Sequence, residues 1–300
     1  MEEIKFKSFD GTELVCHLWG DTTEPKAVVQ IIHGMSEHSL RYAPLAEFLN
    51  KHGYIVFADD HRAHGLTAGS PERVGKYNQK SNLYLDTVRD EIEISKFLKE
   101  KYPSLPLFIY GHSYGSLITQ KYIQDCSLYS KAIICGTSYM NRPLNKFAKI
   151  VAGITKTFKG NDAPAKLIEK LSFKQYNKGL ASDEYWISHD KDVVAAYRAD
   201  AFCSVPFSAK FYYDLMSAST KIYKKKDLSR IDKNKPLMLI AGLEDRFSNN
   251  GEMVKKLYKI YKNLGLNVSL KLYPSMRHEV HNEIGRDKVY ADVLNFYDAD

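Results

Sequence analysis

Residues 107–118, LFIYGHSYGSLI, decide how the rest of the chain is read. The apolar run Leu107–Tyr110 has the composition of a buried strand, and the residues from Ser116 to Asp125 have helical spacing. Between them lies Gly111-His112-Ser113-Tyr114-Gly115. A serine at a sharp strand-to-helix turn sits in strained backbone, so the positions two residues on either side must be small, and here both are glycine. Such a turn lifts Oγ above the sheet and aims the N–H groups of the following helix at any negative charge that develops there. The pentapeptide alone is common; with a strand before it and a helix after it, it predicts Ser113 as a nucleophile.

The same alternation of apolar runs and helical stretches extends outward in both directions. Ile4–Phe9 and Leu14–Trp19 flank Asp10-Gly11, a hairpin signal. Ala27–Ile32 and Tyr54–Ala58 read as buried strands, with a helix over Arg41–His52 between them and Gly53 as its stop. A further helix near Leu83–Lys101 precedes the serine turn, and Ala132–Cys135 follows it as a strand. From Ser138 to about Arg230 the alternation lapses, and the chain becomes Lys- and Tyr-rich, with helical spacing and no clear strand. It resumes with the strand Pro236–Ala241, a helix carrying Met253, Leu257, Ile260 and Leu264 on one face, the strand Val268–Tyr273 and a closing helix from about Asn282 to Tyr297. The expected fold class is α/β: a mostly parallel eight-stranded sheet flanked by helices, with a helical insertion after strand 6. The expected division is residues 1–138 and 231–300 as the core and 139–230 as the insertion.

A serine nucleophile needs oxyanion donors, a base and an acid. The strand ending Ile31-Ile32 runs into His33-Gly34-Met35, where a glycine lets backbone approach the substrate. The expected donors are therefore the N–H groups of Met35 and Tyr114, with the His33 side chain structural. With the order Ser, Asp/Glu, His along the chain, the acid follows a late strand and the base follows the last one. Leu243-Glu244-Asp245 offers Asp245, with Glu244 as its rival, because a short carboxylate on a turn is easily fixed against an imidazole. Met276-Arg277-His278 offers His278, ahead of His281, which is expected to begin the closing helix. The pairs His61/His64 and His278/His281 share an i, i+3 spacing, but His278-Glu-Val-His281 is not HExxH and no third ligand is evident. Neither metal nor cofactor is expected.

Composition is that of an ordinary globular chain, 44% apolar and 26% charged over 300 residues, long enough to bury a core without disulfides. The four cysteines, Cys16, Cys126, Cys135 and Cys203, show no metal or disulfide spacing, and no signal-like apolar segment stands at the N-terminus. The expected location is the cytoplasm. Net charge is +7, and between Tyr139 and Arg230 there are 17 Lys and Arg against 9 Asp and Glu; elsewhere there are 26 against 27. The whole basic excess lies in the insertion. The basic residues are dispersed and carry no nucleic-acid-binding motif, so no nucleic-acid partner is expected.

Several stretches together resemble one family: Phe9-Asp10-Gly11-Thr12, residues 33–42 (HGMSEHSLRY), residues 60–65 (DHRAHG), residues 111–115 (GHSYG) and residues 278–283 (HEVHNE). The chain is similar to the monoacylglycerol lipase and lysophospholipase branch of the α/β-hydrolases, which is grouped with serine aminopeptidases. The likeness runs from near Phe6 to the closing helix, is carried most specifically by HGxxEHSxRY and is weakest in the insertion. It implies a triad of Ser113, Asp245 and His278, and a lid formed by the insertion over an acyl pocket. Glu37, His38 and Arg41 match family positions that shape the wall near the oxyanion loop, and His33, Gly34 and His112 are expected beside them as pocket or loop support. Ala63 departs from the family's more usual glycine, and the Lys-rich insertion matches no lid closely. The expected activity is hydrolysis of a monoacylglycerol, lysophospholipid or similar single-acyl ester. The alternatives are an aminopeptidase or amidase on the same triad, which would require carboxylates at the site mouth to hold an amine, and, more remotely, a non-catalytic binding protein. Candidate acyl-pocket aromatics in the insertion are Phe158, Phe173, Tyr176, Tyr185, Trp186, Phe202, Phe207, Phe211, Tyr212 and Tyr213. The basic charge suggests contact with an anionic membrane surface or a phosphate-bearing lysolipid, against the simpler alternative of a solvated Lys-rich face. Oligomeric state is not legible.

Overall fold

The computed structural model describes residues 1–20, 22–171, 173–182 and 184–299. The sheet and its first helices follow in the order β1 (Glu2–Lys7), β2 (Glu13–Trp19), β3 (Ala27–Ile32), α1 (Ala43–Lys51), β4 (Tyr54–Asp59), α2 (Leu83–Lys101), β5 (Leu107–His112), α3 (Tyr114–Asp125) and β6 (Lys131–Cys135). Helices α4 (Pro143–Lys159), α5 (Lys166–Leu171), α6 (Phe173–Tyr176), α7 (Lys191–Ala199), α8 (Ala209–Ser219) and α9 (Lys225–Leu228) then intervene before β7 (Leu237–Gly242), α10 (Glu252–Asn263), β8 (Val268–Tyr273) and α11 (Arg286–Asp298). The eight strands lie in the order β1-β2-β4-β3-β5-β6-β7-β8. Only β2 runs against its neighbours; from β4 to β8 every pairing is parallel.

The parallel strands β3, β4, β5 and β7 are buried along their whole length. Sheets covered on both faces require this, since neither side of the strand meets water. One apolar cluster, with Leu117, Ile118 and Leu257, packs beneath one face; a second, with Leu45, Leu49, Val289 and Val293, packs beneath the other. The C-terminal ends of β3, β5, β7 and β8 therefore open on one rim. In open α/β sheets such a rim is where ligands bind, because the loops leaving the strands are free to converge there.

Three local expectations shift. The helix predicted over Arg41–His52 divides into a 3-10 turn, Ser39–Tyr42, and α1, which starts at Ala43 with Pro44 in its first turn. Strand β1 ends at Lys7 rather than Phe9, where a Ser8–Thr12 turn closes and the Phe9 ring lies under the Arg89 guanidinium. The closing helix begins at Arg286, after Gly285 at φ 83°, so His281 does not open it but lies in a separate 3-10 turn, Val280–Asn282. Glycine tolerates that left-handed backbone, which lets the chain turn before the helix starts.

Candidate active site

Ser113 lies at the rim between β5 and α3 with φ 53° and ψ −115°, a backbone conformation that L-residues rarely adopt. Close packing requires both flanking glycines. A Cβ on Gly115 would lie 2.0 Å from the Ile32 carbonyl oxygen, and one on Gly111 would lie 2.0 Å from Thr119 Oγ1. The turn is thus pressed against the end of β3, and Ser113 faces the loop that leaves it.

His278, in the turn after β8, brings Nε2 to 2.7 Å from Ser113 Oγ. Its Nδ1 is 3.0 Å from Oδ1 of Asp245, which follows β7 and is fully buried. The Asp245 carboxylate can only accept, so Nδ1 carries the proton and Nε2 offers its lone pair to the serine hydroxyl. The same carboxylate oxygen accepts the Phe247 N–H at 2.9 Å, which holds it in place. The imidazole is packed by Trp186, at 4.5 Å between ring centroids, and by Phe247, edge-on at 5.5 Å. Glu244, the rival acid, is instead exposed and pairs with His189. His281, the rival base, is buried with Nδ1 3.3 Å from the Tyr110 hydroxyl, and burial followed by the nearby His112 pushes its pKa well down. Its ring packs against Tyr42 and His112, whereas the contact to Ser113 Oγ is made by His278.

Among the described residues, neither the Met35 N–H nor the Tyr114 N–H has a protein acceptor. The loop that presents Met35 is fixed by Glu37, whose carboxylate accepts from the Gly34 N–H at 2.6 Å and from the Tyr42 hydroxyl at 2.7 Å. A side chain at position 34 would meet the same carboxylate 2.3 Å away. Arg41 bridges Glu37 to Glu279, giving Glu279 a bidentate pair at 2.8 and 2.7 Å, with its guanidinium over the Tyr197 ring. Burial alone would raise Glu37, but the charges of Arg41 and His112 hold it well below the usual carboxylate range. The loop that presents Met35 is in this way tied to the turn that carries His278. His112, next to Ser113, donates from Nδ1 to the Tyr42 hydroxyl at 2.7 Å and stacks obliquely on His278. His38 pairs with Asp200 at 2.8 Å, and Ser36 clasps the Val205 backbone, so the loop also grips the segment after α7.

His33 lies beneath this loop. Its Nε2 accepts the His61 N–H and its Nδ1 donates to the Gly34 carbonyl, which defines a neutral tautomer. Burial, then the charge of His61, lowers its pKa well below the ordinary value. Three groups of residues have metal-ligating chemistry among the described residues: His112/Cys135/His281, His38/Asp200/Cys203 and Asp59/His61/Glu91. In the third, both His61 nitrogens already face protein acceptors, Asp59 and Glu91 on one side and the His33 carbonyl on the other.

Ser113, Met35 and Tyr114 open into a cleft of about 280 Å³ that is partly open to solvent. Its apolar wall comes from Leu117, Phe147, Val151, Ile168, Leu215 and Met216. Of the insertion aromatics, Tyr176, Trp186 and Tyr212 line the cleft. Phe207 and Phe211 pack into the core beside His64, and Phe158 is 83% exposed. Tyr185, Phe202 and Tyr213 lie off the cleft wall, and the Phe173 side chain lies outside the described residues. Sequence reasoning gave no separate role to Glu279, Ser36 or Phe247, and it offered Trp186 as an acyl-pocket aromatic without its packing on His278. The acid next to His278 was the one available signal for Glu279, and nothing local marks Ser36 or Phe247.

Residues 23–285 match the family model described as serine aminopeptidase, S33. The chain belongs to that family. This S33 member is a serine hydrolase of the α/β-hydrolase fold. It is 27% identical over 292 residues to a monoglyceride lipase homolog of Monkeypox virus, covering 96% of this chain and 93% of that protein. It is 28% identical to human monoglyceride lipase over 92% of this chain and 82% of the human one. Among solved structures, a thermostable carboxyl esterase from Bacillus coagulans, in complex with glycerol, superposes with a TM-score of 0.88 at 30% identity, covering 99% of this S33 chain and 97% of that one. No described helix is long and apolar enough to cross a membrane.

Proposed function

We propose that the chain hydrolyses single-acyl carboxylic esters, of the monoacylglycerol and lysophospholipid kind, with Ser113 as nucleophile, His278 as general base and Asp245 as orienting acid. The observation that carries this reading is the 2.7 Å approach of His278 Nε2 to Ser113 Oγ with Asp245 on the opposite ring nitrogen. His278 takes the Oγ proton as the serine attacks the ester carbonyl, and the N–H groups of Met35 and Tyr114 receive the developing oxyanion. His278 then returns the proton to the departing alcohol, leaving an acyl-enzyme, and water repeats the sequence to release the acid. The relatives' names support an ester substrate. The cleft wall also supports it, because no Asp or Glu lines it among the described residues, and the aminopeptidase alternative needs such a group to hold a free amine.

In this reading residues 139–230 form a cap over the cleft, with Phe147, Val151, Ile168, Leu215 and Met216 on its inner side receiving the acyl chain. On α4 the side chains of Leu144, Phe147, Ile150, Ile154 and Phe158 are all at least half exposed, and Lys146, Lys149, Lys156 and Lys159 lie on the same helix. Such a helix suits transient contact with an anionic lipid surface, where apolar burial and Lys attraction add. Co-sedimentation with vesicles tests the contact; equal binding to neutral and anionic vesicles at low salt would dismiss the electrostatic part. The activity itself is tested with p-nitrophenyl esters from acetate to palmitate, alongside monoacylglycerol, for wild type and Ser113→Ala. Turnover lost in the variant is the expected result. A variant as active as wild type would sink the serine assignment.

A further inference from the structure

The cleft is lined on one side by apolar residues, while two arginines reach it from different elements. Arg142 stands at the N-terminal cap of α4, and Arg246 follows Asp245 in the turn after β7. Asn145 and Asn249 line the cleft beside them, from the same two elements. Both arginines are partly buried. Arg246 gives Nη1 to the carbonyls of Tyr176 and Lys178, each at 2.7 Å, leaving Nε and Nη2 without a protein acceptor among the described residues. Arg142 makes no side-chain hydrogen bond or ion pair with the described residues. Elsewhere in the protein buried or half-buried arginines are neutralised: Arg41 by Glu37 and Glu279, Arg62 by Asp10 and Asp90, Arg277 by Glu184. Two cationic forks therefore share the cavity that contains Ser113, and among the described residues neither has a counter-charge and no carboxylate lines that cavity.

We infer that the substrate carries an anionic head group, and that Arg142 and Arg246 select single-acyl glycerol esters bearing a phosphate. This rests on the ester-hydrolase reading above and names the head group for the same site. A guanidinium pairs with phosphate through two parallel N–H···O bonds, and two guanidiniums approaching from different elements match an anion with several equivalent oxygens better than a planar carboxylate. The partly desolvated setting strengthens such pairs relative to an exposed ion pair. The acyl chain lies along the Leu117–Met216 wall, while the phosphate meets Arg142 and Arg246. The chemistry stays a transacylation: the carbonyl carbon forms a bond to Ser113 Oγ and loses its bond to the glycerol oxygen. Glycerol phosphate leaves with the proton that His278 took from the serine, and water then releases the fatty acid.

The test compares 1-acylglycerol 3-phosphate with uncharged 1-acylglycerol of the same short chain, kept monomeric so that the basic cap's attraction to lipid surfaces plays no part. The readout is the ratio of kcat/KM for the two substrates in wild type, Arg142→Gln, Arg142→Lys and the Arg142→Gln/Arg246→Gln pair. Wild type is expected to favour the phosphate. Because hydrogen bonds to charged groups are worth more than neutral ones, Arg142→Gln should lower the ratio about tenfold or more, with partial recovery in Arg142→Lys. A wild-type ratio near one, or a ratio unchanged by both the single and the double glutamine substitution, overturns the inference. Ser113→Ala is assayed on both substrates in parallel. If turnover disappears there but the ratio is unaffected by the arginines, the ester-hydrolase reading stands and the phosphate assignment alone falls.

Discussion

Glu279 shows how a single residue next to the proposed base carries more than its neighbour position suggests. Its carboxylate is 3% exposed and holds Arg41 through two hydrogen bonds, while Asn282 donates to it at 2.9 Å. Arg41 in turn steadies Glu37, on which the Gly34 N–H and the geometry of Met35 depend. Removing one partner of a buried pair leaves the other charge uncompensated, at a cost of about 3–5 kcal/mol. Glu279→Ala should therefore lower unfolding stability by that order in urea titration. A loss below about 1 kcal/mol, the scale of an exposed pair, would mean that water already screens Arg41. Ser113 is strained rather than paired in this way: its φ of 53° costs about 1–3 kcal/mol, which the packing of Gly115 against β3 sustains.

At the scale of elements, the turn after β4 contains the departure at Ala63. Ala63 adopts φ 62°, and its carbonyl accepts the Gly75 N–H at 2.8 Å, closing the loop over Arg62 and His64. A methyl in left-handed backbone costs about 1 kcal/mol that glycine avoids. Against this, glycine gains freedom in the unfolded chain, which returns roughly 0.4–1 kcal/mol. Ala63→Gly is accordingly expected to be neutral to slightly stabilising in thermal unfolding, and a clear fall in Tm would show that the Ala63 methyl makes a packing contribution outweighing its strain. Residues 33–42 form the element that joins the other parts. They grip the His278 turn through Arg41 and the segment after α7 through His38 and Ser36, so one loop contacts both the proposed base and the helical insertion.

For the whole molecule, the buried histidines set the response to acid. Burial holds His33 and His281 well below their ordinary pKa and pushes His64 down to about 3. The unfolded chain protonates each of them below about pH 6.5, while the folded chain does not, so each removes up to about 1.4 kcal/mol of stability per pH unit as pH falls through that window. Glu91, pushed up to about 8 by burial and then by Asp59, and Asp90, raised to about 6 by burial, act in the opposite sense, since the folded state keeps protons that the unfolded chain releases. His61, held well above its ordinary value despite burial by the charge of Asp59, is protonated in both states below about pH 6.5 and drops out. His17, buried and likewise lowered by burial, acts with the three histidines, and four groups against two leave a net loss, so the urea midpoint should fall between pH 7 and pH 5; a rising midpoint would mean the carboxyl protons dominate. What the sequence by itself determined was local. The apolar period of each strand, the Gly-x-Ser-x-Gly turn and the His-Gly loop depend on contacts within a few residues, and they specify the α/β sheet and the candidates Ser113, Met35 and Tyr114. Position in the loops after the late strands already favoured His278 over His281 and Asp245 over Glu244, but the approach itself needs the sheet: His278 lies 165 positions from Ser113 and meets it only when β5 and β8 share a rim. The Arg41–Glu279 bridge, the sorting of insertion aromatics into cleft, core and surface, and the two arginines that have no carboxylate partner among the described residues were decided by tertiary structure alone. Charge and aromatic character are legible in a sequence, but burial and partner depend on what the rest of the chain packs against each side chain.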